Sequence, residues 1–283
     1  MRGWCRAGSR AEMTNPLAAY RLPGLPLTFP YSLPQVYMSN RVLLRARAVS
    51  SFCLVAFAAA CAAQSPSTPM TLSSAPNTLT AEEAKAGWKL LFDGKTTAGW
   101  RGFKQPSMPA GWQAVDGALT RVAQGGDIVT ADQYRDFELM LEWKVAPGGN
   151  SGIFYRVTED ADATYETGPE MQVLDDAKHA DGRSPLTSAG ALYGLYPAPR
   201  GISKPAGEWN QVRILLRGNH VEHWLNGKQI VSAELNGADW NGKVAASKFT
   251  QWPKYGQNAT GHIALQDHGD WVAYRNIRIR EIQ

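Results

Sequence analysis

Phe137-Glu-Leu-Met-Leu-Glu-Trp-Lys-Val145 sets Phe137, Leu139, Leu141, Trp143 and Val145 at every second position, with Glu138, Met140, Glu142 and Lys144 between them. Successive side chains of a strand point to opposite faces, so this period marks a half-buried antiparallel strand. Val212 to Leu216 repeats the pattern. Val221-Glu-His-Trp-Leu225 then runs through Asn226-Gly227 into Lys228-Gln-Ile-Val231, and Asn-Gly supplies the positive φ angles of a tight type I′ hairpin turn. Gly261 to Asp267 and Val272 to Ile282 read as the last strands. A short helix-like piece starts at Ala81, but no helical period of useful length follows between Trp88 and Gln283. Many short strands separated by turn residues over roughly 200 residues predict an all-β domain, two antiparallel sheets packed as a sandwich or jelly roll.

Upstream of this domain the composition changes. From Met38 a positive stretch (Arg41, Arg45, Arg47) leads into the apolar run from Ser50 to Ala60 and then Cys61, the layout of a secretory signal. The run is too short to span a bilayer. Three small residues before Cys61 resemble a bacterial lipobox, which makes Cys61 the expected lipidation site and the protein an exported one, periplasmic or anchored in the outer membrane. Ala58 departs from the pattern, which usually has Leu there, and a plain secretory cut after Ala60 or Ala63 is the alternative. Residues 1–37 would bury the signal inside the chain and are expected to be a non-native extension, with Met38 the start. Residues 62–80, rich in Ser, Thr, Pro and Ala, read as a tether. The folded domain is expected over residues 81–283.

The formal charge of +4 belongs to the leader, because seven of the 29 basic residues and one of the 25 acids (Glu12) lie in residues 1–61. The remainder has 22 basic against 24 acidic residues and is near neutral. No basic stripe supports nucleic-acid binding, and contact with a membrane is expected only through the lipid anchor. All three cysteines (Cys5, Cys53, Cys61) precede the domain, so no disulfide staples it. No Gly-rich phosphate loop, Cys-x-x-Cys, His-Glu-x-x-His or Gly-x-Ser-x-Gly element is present, which argues against a nucleotide cofactor, a zincin and a serine hydrolase. The expected partner is an uncharged molecule.

Three segments carry polar groups where a sheet could form a groove. In Glu170-Met-Gln-Val-Leu-Asp175, which follows Asn150-Ser-Gly-Ile-Phe-Tyr-Arg156, Glu170 and Gln172 share one face while Met171 and Val173 take the other. A simple ion pair of Glu170 with Arg156 on a solvated face is the plainer reading. In Gly261-His-Ile-Ala-Leu-Gln-Asp-His268, Ile263 and Leu265 face the core and His262, Gln266 and His268 the opposite side. Imidazoles there can transfer protons or bind metal, although strand histidines are often only structural. His223 has the apolar parity of Val221 and Leu225, which favours a satisfied core histidine unless that face lines the groove. Arg275 shares its parity with Ile277 and Ile279 and would need a partner or a substrate oxygen. Tyr155, Tyr193, Tyr196 and Trp252 are loop aromatics able to stack on a sugar or merely to pin their loops.

In order, Trp88-Lys-Leu-Leu-Phe-Asp-Gly94 through Trp100, Asn150 to Arg156, Glu170 to Asp175, Glu208-Trp-Asn210, His223-Trp-Leu-Asn-Gly227, Gly261 to Gly269 and Arg275-Asn-Ile277 resemble the 3-keto-disaccharide hydrolase domain over about Gly87 to Ile282. The resemblance implies a concanavalin A-like sandwich and a 3-keto-glucoside 1,2-lyase that also hydrates the resulting 3-keto-2-hydroxy-glucal. Its partner would be a keto-sugar or another neutral carbohydrate. Such chemistry needs a base, a cation on the enolate oxygen and an acid for the leaving group, rather than the paired carboxylates of ordinary glycosidases. His268 or Glu170 is the expected base and Arg156 the expected enolate stabiliser. Tyr155, Gln172, Asp175, His223, Gln266, Arg275 and Tyr193 are expected to contact substrate, and Gln172, Asp175, His223 and Gln266 could instead ligate a divalent metal ion, which stays open as a cofactor. The rival readings are a noncatalytic carbohydrate-binding module, since fold alone does not define function, and a two-carboxylate glycosidase with Asp175 as second acid.

Overall fold

The computed structural model describes residues 75–282; the expected extension 1–37, the expected signal 38–61 with Cys61 and the expected tether up to residue 74 lie outside them. Within the described residues the strands are β1 (Lys89–Leu90), β2 (Trp100–Gly102), β3 (Trp112–Val115), β4 (Ala118–Arg121), β5 (Ile128–Thr130), β6 (Phe137–Val145), β7 (Asn150–Val157), β8 (Glu170–Leu174), β9 (Asn210–Arg217), β10 (His220–Leu225), β11 (Lys228–Glu234), β12 (His262–Leu265) and β13 (Val272–Glu281). Two short helices, α1 (Ala81–Lys85) and α2 (Ala238–Ala245), accompany them.

The strands form the expected sandwich of two antiparallel sheets. One is eight-stranded, in the order β11-β10-β9-β6-β13-β4-β3 with β1 also on β13, and the other five-stranded, β2-β5-β12-β7-β8. Leu139, Leu141, Trp143 and Val145 of β6 bury their faces in one cluster with Ile153, Met171 and Val173 of the smaller sheet. The opposite face of β6 is not bare: Glu142 accepts from Arg275 Nε at 2.7 Å and Glu138 from Arg280 Nε at 2.7 Å. The Asn226-Gly227 turn joins β10 to β11 with φ of 49° and 79°, as a type I′ turn requires.

One strand departs from simple alternation. Asn276 takes φ 54°, and the register of β13 against β6 slips between Arg275 and Arg278. The bulge reverses parity, so Arg275 leaves the face of Ile277 and Ile279. It lies on the outer side of the large sheet, paired with Glu142 and stacked 4.1 Å over Trp209. The expectation that Arg275 contacts substrate is corrected accordingly.

That bulge also receives the N-terminal segment. Asn77 N donates to Asn276 Oδ1 at 2.6 Å and Asn276 N to Asn77 Oδ1 at 2.8 Å. Thr80 and Glu83 form a capping box that starts α1, and the same Glu83 pairs with Arg278, both buried. The packed region thus reaches back past Ala81 into the predicted tether. Helix α2 carries one buried anchor, Trp240, and is too short to show a helical period in the sequence.

Candidate active site

The register of β7 and β8 sets Gly152 beside Gln172 and Phe154 beside Glu170. Met171 and Val173 enter the main core, so Glu170 and Gln172 stand together on the far face, the arrangement their spacing predicts. Glu170 fits there because position 152 has no side chain: a Cβ on Gly152 would lie 2.2 Å from Glu170 Oε1. Beyond β8 the chain runs back along its edge, with Gln172 N donating to Ala191 O at 3.0 Å and Tyr193 N to Glu170 O at 3.0 Å. Tyr193 is thereby fixed beside Glu170.

The loop after β12 closes the other side. Gln266 N donates to Gly152 O at 3.0 Å, and Ser151 Oγ donates to Gln266 O at 2.6 Å. The Asp267 carboxylate accepts from Arg121 Nε at 2.5 Å and from Gly125 N and Gly126 N at 2.7 and 2.9 Å. These bonds present Gln266 and His268 over the sheet. A 3-10 turn, Lys248–Gln251, brings Lys248 and Phe249 from the opposite rim. Together with Asn150, Asp181 and Tyr165 they enclose a cavity of about 210 Å³.

Glu170 is the electrostatic centre of this cavity. It is 8% exposed, and no donor among the described residues bonds its carboxyl. Burial pushes its pKa up to about 8; the Lys248 ammonium opposes that shift, while Asp127 and Asp181 add to it. Lys248 Nζ sits 4.6 Å over the Tyr193 ring, and Tyr193 donates to Asp181 Oδ2 at 3.4 Å. Burial first, and then Asp181 and Glu170, push the Tyr193 hydroxyl up to about 12. Gln172 Nε2 donates to Thr187 O at 3.2 Å, whereas Gln172 Oε1 and Asn150 Oδ1 are buried without a partner. Unpaired acceptors in a cavity wall are groups that a ligand's hydroxyls can satisfy.

Of the residues expected to form the site, Glu170, Gln172, Tyr193, Gln266 and His268 line the cavity. Arg156 does not. It takes φ 57° at a register slip between β7 and β12, and its guanidinium donates to Gly218 O in the turn between β9 and β10 of the other sheet. Tyr155 and His223 are both fully buried in the interior. His223 Nδ1–H donates to Gly190 O at 3.1 Å, leaving Nε2 to accept from the Tyr155 hydroxyl at 3.1 Å. Burial lowers the His223 pKa to about 4, so it is the satisfied core histidine its parity suggested. Asp175 is committed to its own loop, accepting from Gly148 N at 2.7 Å and Ala177 N at 3.1 Å. These geometries withdraw Arg156, Tyr155, His223 and Asp175 from direct contact with a ligand in the cavity. His262 is structural too, donating from Nδ1 to Thr130 O at 2.7 Å.

Lys248, Asp181, Asn150 and Tyr165 escaped the sequence reading. Lys248 and Asp181 stand in single 3-10 turns, too short for a period to assign a face. Asn150 opened a segment already singled out, and its parity with Gly152 would have placed it. As for a divalent metal, among the described residues no three His, Cys, Asp or Glu side chains converge as a ligand group, so no step is derived through one. A wider basin of about 640 Å³ on the outer face of the large sheet is lined by Glu138, Arg213, Glu222 and Arg280, whose charges pair with one another. The imidazole that lines it, His220, is paired with Glu222 and Glu234.

Comparison with known proteins bears on this site. The 3-keto-alpha-glucoside-1,2-lyase-like domain matches residues 87–280. A protein of Bacteroides thetaiotaomicron named 3-keto-disaccharide hydrolase is 37% identical over 226 residues, which are 69% of this chain and 78% of that one. Among solved structures, a candidate glycosyl hydrolase from Parabacteroides distasonis superposes with a TM-score of 0.69 at 34% identity, covering 74% of this chain and 100% of its own. A second from the same organism gives 0.55 at 29% identity, covering 69% and 99%.

Proposed function

The chain belongs to the 3-keto-alpha-glucoside-1,2-lyase-like family, and on that premise we propose that it cleaves glycosides whose ring already carries a ketone at C3, by elimination across C1 and C2 followed by addition of water. Its family and its hydrolase relative make it a glycoside-cleaving enzyme. The observation that carries the finer reading is Glu170, a buried carboxyl with a pKa of about 8 and no ion-pair partner among the described residues. General bases work best when their pKa lies near the operating pH.

A C3 ketone acidifies the C2–H bond. The Glu170 carboxylate takes the C2 proton, and the electron pair of that bond becomes an enolate spread to the C3 oxygen. Lys248, the cation of the cavity wall, takes the role first assigned to Arg156 and faces the oxyanion. As the enolate collapses, the C1–O bond breaks and the leaving oxygen takes a proton from His268 on the open side. A glucal with its C3 ketone restored remains. Water then adds: its oxygen bonds to C1, its proton returns to His268, and the proton held by Glu170 goes to C2. The sum is hydrolysis. Gln172 and Asn150 offer their unpaired amide oxygens to ring hydroxyls throughout.

The test is to offer the purified protein a 3-keto-glucoside and its unoxidised parent, with and without chelator, in deuterated water. Aglycone release from the keto sugar alone is expected, with deuterium gained at C2 to the extent that the proton held by Glu170 exchanges with solvent before it is returned. Release from the parent would instead indicate two-carboxylate hydrolysis, with Asp181 as the second carboxyl of the wall. Binding of sugar without any release would indicate a noncatalytic module, and inhibition by chelator would bring a metal ion into the mechanism.

A further inference from the structure

A glycoside has a ring that reacts and a group that leaves, and the cavity has room for one of them. Its volume, about 210 Å³, falls below the roughly 300–1,000 Å³ of sites that enclose a drug-sized ligand. With the reacting ring over Glu170, the leaving group must lie beyond the wall. One side chain belongs to both regions: Tyr165 lines the cavity, yet 40% of it is open to solvent.

Tyr165 is held in place by its surroundings. Thr164 donates through its hydroxyl to the Asp127 carboxylate, Gly168 N donates to Thr164 O at 2.9 Å, and Gly256 N donates to Thr167 O at 2.8 Å. The Tyr165 ring meets Trp252 edge-on, with centroids 5.2 Å apart. Trp252 leans on Phe249 at 6.0 Å, and Phe249 stacks on the buried Tyr255 at 4.0 Å. A row of aromatic rings thus runs from the interior to the mouth and ends in an exposed ring at a fixed height. An aromatic serving only to pin its loop would bury its ring; this one leaves much of it open beside the cavity.

We propose that Tyr165, braced by Trp252, is the platform on which the leaving group stacks, so that the enzyme takes the terminal ring of its substrate and favours leaving groups that are themselves rings, a second sugar or an aryl group. The inference rests on the elimination reading above and adds to it the residue that meets the leaving group.

The experiment compares wild type, Tyr165→Ala and Tyr165→Phe on methyl, aryl and disaccharide 3-keto-glucosides, taking the variant-to-wild-type ratio for each substrate so that intrinsic leaving-group reactivity cancels. Tyr165→Ala should lose about tenfold in kcat/KM on the aryl and disaccharide substrates, the size of one aromatic contact, and distinctly less on the methyl one, which keeps only the contact of Tyr165 with the cavity wall. Tyr165→Phe should keep most of the wild-type values. Equal losses on all three substrates, or none on any, would overturn the platform. Affinity for an unoxidised aryl glucoside, measured by calorimetry, reads the same contact without chemistry. A drop there in Tyr165→Ala supports the platform even where no keto sugar is cleaved, an outcome that would sink the elimination reading alone; unchanged affinity would overturn the platform.

Discussion

The Glu170 carboxyl is buried and meets no hydrogen-bond donor among the described residues, so its neutral form is favoured in the folded protein. Between its ordinary value of 4.5 and about 8 the folded chain holds a proton that the unfolded chain has released. The stabilisation is therefore complete below 4.5 and lost as pH rises through about 8. Replacing Glu170 by Gln removes that dependence: across pH 5 to 9 the wild-type Tm should fall more steeply than the variant's, and the variant should be the more stable at the alkaline end. Parallel Tm curves would mean that Glu170 is already charged at neutral pH. The same variant should lose about a hundredfold or more in kcat, the usual contribution of a general base. His223 tilts stability the other way, because its pKa falls from 6.5 to about 4 on burial and the protein gains stability as pH rises through that window. Its effect lies on the acid side and overlaps the Glu170 window only below 6.5.

At the scale of strands, β7 serves β8 by leaving a gap. Gly152→Ala would drive a methyl group into the Glu170 carboxylate, and the flexible end of a side chain can yield where backbone cannot. The fold should survive with Tm within a few degrees of wild type, while kcat drops about a hundredfold because the base is displaced by an ångström or so. Loss of the fold together with activity would show that Gly152 is structural instead. The shared face of Glu170 and Gln172 was legible in the sequence because alternation is a local property of an extended backbone. Arg275 departs from the face its parity indicates because it stands beside the register slip at Asn276, and Arg156, expected at the site from the chemistry of the resemblance, stands at a second slip with a positive φ of its own, where the strand no longer presents alternate residues to one face.

At the scale of the whole molecule, the sandwich depends on residues ahead of its first strand. Arg278, wholly buried, is paired with Glu83 of α1, and Asn77 occupies the bulge at Asn276. A chain beginning at Gly87, where the family match starts, keeps every strand but strands that guanidinium. It should lose about 3–5 kcal/mol of stability in denaturant titration, and Arg278→Met within the shortened chain should recover part of the loss. Equal stability of the long and short chains would show that the pair contributes nothing. By itself the sequence determined the all-β class, the Asn226-Gly227 hairpin, the near-neutral surface and the shared face of Glu170 and Gln172, because period, turn chemistry and charge are properties of neighbouring residues. Only the tertiary structure decided that Lys248 rather than Arg156 stands at the cavity, that the face carrying His223 is core rather than groove, and that Tyr165 waits at the mouth. Those outcomes depend on which loops meet over the small sheet and on where a bulge reverses a strand, and neither is encoded in any local pattern.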